Sequence, residues 1–187
     1  CLGAEGLAIL GNFKNFTTSV KAFSTFGFNS GIVKLIAEHK ENSEKINEIS
    51  TTSFISRFIL SILISFSLLI FSRFINEFIF VGNTFYNVII IFAIFLPIYT
   101  INTFLISIIN GFQKFKSLIT IHIISNISGL LITLLLISKE MLFGALIATA
   151  TVESFIIIIS IYYFKKTTIQ LKIKFKCFSK KTLNKLL

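Results

Sequence analysis

The chain has 187 residues, of which 54% are hydrophobic and only 14% charged, with a formal net charge of +10 and a mean hydropathy of +0.86. That balance excludes an ordinary soluble domain, where about a quarter of residues are charged, and describes a chain built for a bilayer. With 23 phenylalanines, one proline and no tryptophan, the expected class is all-α, a polytopic helical membrane protein.

The chain begins at Cys1 rather than Met, inside what already reads as protein interior, so a fragment with at least one span upstream is expected. Residues 2–10 form a glycine-punctuated entry in which Glu5 reads as a solvated acid. The first span is expected over 11–37. At 100° per residue, Lys14, Thr18, Lys21 and Thr25 share one polar stripe, flanked by Thr17 and Ser24, while Phe13, Phe16, Val20 and Phe23 lie opposite. A charge facing hydrocarbon near the midplane costs roughly 2.5–3.5 kcal/mol or more, so this stripe is expected to face other helices or a watery cavity. Lys34, near the end of the same helix, is expected to snorkel to the headgroups.

A polar loop follows over 38–53, whose Glu and Lys at helical spacing read as a solvated face. The second span, 54–74, is long enough for a hydrocarbon core of about 30 Å. Arg57 and Arg73 mark its two ends and are expected to snorkel. The third span, 86–110, contains Pro97, where a kink is expected, followed by the polar run Tyr99, Thr100, Asn102 and Thr103. The fourth, 118–137, carries His122, Ser125, Asn126, Ser128 and Gly129, small and polar residues that let helices approach closely. Only the four residues 138–141 separate it from the fifth, 142–164, so an antiparallel hairpin is expected, with Glu153 at membrane depth on its second arm.

From 165 to 187 the chain becomes a basic tail with lysines at 165, 166, 172, 174, 176, 180, 181 and 185 and no acid. Attraction to an anionic cytoplasmic leaflet accounts for it without a nucleic acid partner. The alternation of Ile169, Leu171, Ile173 and Phe175 with polar residues reads as strand-like or interfacial. Placing the tail in the cytoplasm puts Lys40, Lys45, Arg57, Lys114 and Lys116 on the same side, against only Arg73 and Lys139 opposite. This positive-inside bias leaves the amino end outside. Cys1 and Cys177 then fall on opposite sides and cannot pair.

Two cysteines and two histidines offer no metal-ligand spacing, no glycine-rich phosphate loop is present, and no nucleophile stands with a base. No enzymatic activity, cofactor or metal is therefore expected. The candidate site residues are the ionisable groups at membrane depth, Lys14, Lys21 and Glu153, together with His122. The lysines would attract an anionic substrate, and Glu153 would either pair with one of them or carry a coupling proton or cation. The competing reading is that Lys21 and Glu153 form a buried structural pair.

The run FGFNSGIVKLIAEHKEN, then IINGFQKFK, then LFGALIATATVES, resembles the O-antigen flippase (Wzx) branch of polysaccharide biosynthesis proteins, in the multidrug/oligosaccharidyl-lipid/polysaccharide exporter superfamily. The likeness covers nearly the whole chain and about the second through sixth helices of a member. The resemblance implies a two-lobed exporter fold of which residues 1–164 are most of one lobe, with 165–187 a cytoplasmic connection between lobes. It implies alternating access that moves undecaprenyl-pyrophosphate-linked oligosaccharide to the periplasmic leaflet of a bacterial inner membrane, with membrane lipids and a glycan polymerase and its chain-length machinery as neighbours. Thr18, Thr25 and Asn29 join Lys14 and Lys21 as candidate contacts for sugar or phosphate. An ion-coupled exporter of drugs or other small molecules, or a membrane scaffold that transports nothing, are the other classes left open.

Overall fold

In the computed structural model, residues 3–80, 85–167 and 179–186 are described. They form α1 (Gly3–Thr25), α2 (Phe28–Glu38), α3 (Ser43–Ile70), α4 (Ser72–Ile79), α5 (Tyr86–Gly111), α6 (Phe115–Phe155), α7 (Ile157–Lys166) and α8 (Lys180–Leu186). Among the described residues there is no strand, so the protein is all-α. Ser43–Ile70, Tyr86–Gly111 and Phe115–Lys166 are long and apolar enough to cross a membrane. Residues 169–175, where a strand-like or interfacial segment is expected, and Cys1 and Cys177, lie outside the described residues.

The expected single helix over 11–37 is two. Phe26 and Gly27 both take left-handed backbone (φ 49° and 71°), which ends α1 and starts α2 in a new direction. Glycine adopts that conformation without a Cβ penalty, so Gly27 is the residue that permits the break. The pair is not among the helices that length and apolarity alone mark as membrane-crossing.

The second boundary also differs. Helix α3 starts at Ser43, where the Asn42 side chain accepts the Lys45 backbone N–H, an N-cap that satisfies one of the free donors of the first turn. Arg57 is consequently well inside a 28-residue helix rather than at a span end. After a break at Phe71 the chain forms the short α4 in place of a loop, with Arg73 exposed.

The third helix has the expected extent. Pro97 removes one N–H from α5, which deprives the carbonyl of Ala93 of its usual partner four residues on. Ser65 of α3 supplies the replacement, its Oγ donating to Ala93 O at 2.5 Å. The hairpin is also present. Non-helical φ/ψ at Glu140 and Met141 reverse α6 upon itself, and the two arms touch where glycine removes a side chain. A Cβ at Gly144 would stand 2.0 Å from Leu136 O, and one at Gly129 would stand 2.9 Å from Val152 Cγ1.

Two apolar clusters flank the middle of α5. One gathers Phe13, Leu68, Phe80, Val88, Ile89, Phe92, Leu96 and Leu146 around its first half. The other gathers Phe28, Ile32, Leu35, Ile36, Ile49, Phe104, Ile108 and Leu186 around its second. Between them, Tyr99 to Thr103 form a polar belt across the helix.

Candidate functional site

That belt is where the charges converge. Lys21 of α1 is 9% exposed. Its Nζ lies 2.8 Å from Glu153 Oε2 on the second arm of α6, and 5.2 Å from the centre of the Tyr99 ring on α5. An ammonium so placed gains an ion pair and a cation–π contact in exchange for its hydration. The Glu153 side chain remains 53% exposed, so the pair is buried at the lysine and open at the carboxylate. The backbone carbonyl of Glu153 accepts Asn102 Nδ2 at 3.2 Å, which ties the arm to α5 beside the pair.

One turn further along α5, Thr103 faces a second charge. Arg57 is 1% exposed and donates from Nη2 to Asn29 Oδ1 at 2.5 Å and to Thr103 Oγ1 at 3.3 Å. Ser107, another turn on, donates from Oγ to the same Asn29 Oδ1 at 3.0 Å. Tyr99, Thr103 and Ser107 therefore form a row at four-residue spacing, the repeat that keeps helix positions on one face. Arg57 is enclosed by the bundle rather than extended to its surface, which corrects its expected snorkelling. The side chain turns instead toward Asn29 and Thr103, polar partners within the bundle.

The same wall borders a cavity of about 600 Å³ lined by α2 (Asn29, Ser30, Val33, Lys34), α5 (Thr103, Ile106, Ser107, Asn110) and His122 of α6. Lys34, expected at the headgroups, is exposed on this cavity.

The expected stripe on α1 is thus divided. Lys14 and Thr18 are exposed, whereas Lys21 and Thr25 are buried. The Thr25 hydroxyl donates to carbonyls of its own helix, Lys21 O at 3.2 Å and Ala22 O at 3.1 Å, and the Thr18 hydroxyl donates to Lys14 O at 2.8 Å. Asn29 is brought to Arg57 and not to Lys21. The five candidate contacts consequently fall in three places: an exposed face (Lys14, Thr18), a charge pair (Lys21, with Thr25 one turn on), and a cavity wall (Asn29). Of the residues expected opposite the stripe, Phe23 is 69% exposed, while Phe13, Phe16 and Val20 pack on the core.

Arg57, Ser107 and Asn110 were not among the sequence candidates. Their signal was available in part: Tyr99, Thr103 and Ser107 repeat at four residues within an otherwise apolar helix, which predicts one polar face. Nothing in the sequence says that Arg57 meets that face. Among the described residues, no group of three or more potential metal ligands converges.

No curated protein and no solved structure matches the chain. The family profile described as polysaccharide biosynthesis protein matches residues 1–187. Apolar helices long enough to cross a membrane, charges gathered between two apolar cores, and a family match along the entire chain lead to one conclusion: the chain belongs to the polysaccharide biosynthesis protein family, with a role in polysaccharide synthesis or export at a membrane.

Proposed function

We propose that this chain forms most of one lobe of a flippase that moves undecaprenyl-pyrophosphate-linked oligosaccharide from the cytoplasmic to the periplasmic leaflet by alternating access. The observation that carries the reading is the exposed face of α1. Asn12, Lys14, Asn15, Thr18 and Ser19 are all exposed on a helix whose opposite side, through Phe13 and Phe16, packs on the core. Such polar groups are costly to leave against lipid, so the face suits a wet cavity between two lobes. Lys14 gives it a positive charge for a pyrophosphate, and the face leads toward Lys21. The function proposed is transport and not catalysis. The membrane is the bacterial inner membrane, the tail is cytoplasmic, and a glycan polymerase with its chain-length machinery is the neighbour that takes the product.

A second reading, ion-coupled export of another small cargo, draws on Glu153, whose half-exposed carboxylate is accessible to a proton or cation. The test is complementation by the full-length gene in a flippase-deficient strain with matching sugar assembly. Wild type should restore surface glycan, and Lys14→Gln, at an exposed position, should reduce it at unchanged membrane abundance. Absence of glycan with wild type across several sugar backgrounds would move the exporter reading to the front.

A further inference from the structure

Arg57 is a buried charge that is part of no ion pair among the described residues. Guanidinium stays protonated in proteins and offers five donors in a planar fork. Here Nη2 is bonded, while Nε and Nη1 are buried with no hydrogen-bond partner. The described salt bridges are Lys21–Glu153 and Lys45–Glu48, and neither includes Arg57. A buried cation with neutral partners only is unfavourable, because the desolvation cost is not offset by an opposite charge. The two residues that take its Nη2, Asn29 and Thr103, form the wall of the 600 Å³ cavity. That volume is in the range of small-molecule sites.

Lys34 is the formally charged side chain that lines the cavity, beside His122, Val33 and Ile106, and no carboxylate does. Ser30, Ser107 and Asn110 add neutral polar groups. Asn29 spends its carbonyl oxygen on Arg57 and Ser107, which leaves its amide N–H groups as donors to a ligand. The hydroxyls of Thr103 and Ser107 donate to carbonyl oxygens within the bundle, so a tetrahedral oxyanion here accepts from the Asn29 amide and the Lys34 ammonium, while its charge offsets the guanidinium behind them. We infer that the cavity between α2, α5 and α6 binds a phosphate-bearing ligand, held by the Asn29 amide and the Lys34 ammonium in front of Arg57, with His122 on the same cavity wall. The site is separate from the Lys21–Glu153 pair and does not depend on which cargo the protein moves. The phosphate is either a free anion or the headgroup of a lipid.

The purified protein in a neutral detergent, free of phosphate, is tested with two probes. One is radiolabelled inorganic phosphate in equilibrium dialysis. The other is short-chain phosphatidic acid, with retained lipid counted by mass spectrometry against phosphatidylcholine. Saturable binding of inorganic phosphate identifies a free-anion site, and binding of phosphatidic acid alone identifies a headgroup site. Asn29→Asp places a carboxylate against Arg57 in the space of the amide, so it should keep the fold and weaken the bound probe by about tenfold or more, the effect of losing one charge-assisted contact. Lys34→Gln, at an exposed position, should weaken it by a few fold. Saturable binding of neither probe, or unchanged affinity in both variants, overturns the site.

Discussion

Lys21 Nζ stands 2.8 Å from Glu153 Oε2, joining the first long helix to the last arm of the hairpin. The two ends of this bond differ in environment, at 11% side-chain exposure for the lysine and 53% for the glutamate. Removing either partner therefore has unequal consequences.

Glu153→Gln strands an ammonium in a mostly buried position, with only the Tyr99 ring beside it. Lys21→Met keeps the apolar stem and leaves a carboxylate that water can reach. The expected losses are about 1–3 kcal/mol for Glu153→Gln, below the roughly 3–5 kcal/mol of fully buried pairs, and less for Lys21→Met. Thermal unfolding followed by circular dichroism in detergent measures the order. Equal losses would mean that the carboxylate is as buried as the lysine.

At the second charge the sign reverses. Asn29→Leu removes the acceptor shared by Arg57 and Ser107 and should lower the melting temperature. Asn29→Asp supplies the missing negative charge with little change of shape and should raise it in phosphate-free buffer. A drop with Asp as large as with Leu would show that Arg57 is already neutralised by another group.

The hairpin has a steric test. Alanine at Gly144 would place a Cβ 2.0 Å from Leu136 O, and backbone cannot move aside as a side chain can. Gly144→Ala should cost about 3 kcal/mol or more, in the upper tail of single substitutions. At Gly129 the obstacle is the Val152 side chain, at 2.9 Å, so Gly129→Ala should cost less and Val152→Ala should restore it. Membrane abundance and melting temperature report both, and a mild Gly144→Ala would mean that the arms are further apart.

The charge bias of the loops predicts sidedness. In a background with Cys1 and Cys177 replaced by Ser, single cysteines at Glu77 and Lys114 flank α5, and both positions are exposed. An impermeant maleimide added to intact cells should label Glu77→Cys, and Lys114→Cys only after permeabilisation. Labelling of both from one side would remove α5 as a crossing helix.

Much of the fold was legible from local signals. Apolar runs marked the three helices long enough to cross a membrane, Pro97 lies inside α5, the reversal falls within residues 138–141, and Lys21 and Glu153 stood out because charge is rare in such runs. These follow from periodicity and transfer energy, which act on neighbours along the chain. The break at Phe26 and Gly27 was not legible, since a glycine within a helical pattern either continues or ends it and packing decides which.

Partnership was decided by tertiary structure alone. Lys14, Thr18, Lys21 and Thr25 share a helix face, yet the first two are exposed and the last two covered, because burial depends on which helix packs over each turn. Arg57 shows this most plainly: near the edge of an apolar run it reads as a headgroup anchor, and in the bundle it meets Asn29 from α2 and Thr103 from α5. The sequence by itself determined how many polar groups the apolar helices must accommodate. Which of them face one another was settled by helix packing, since each can escape hydrocarbon only through a neighbour far away in the chain.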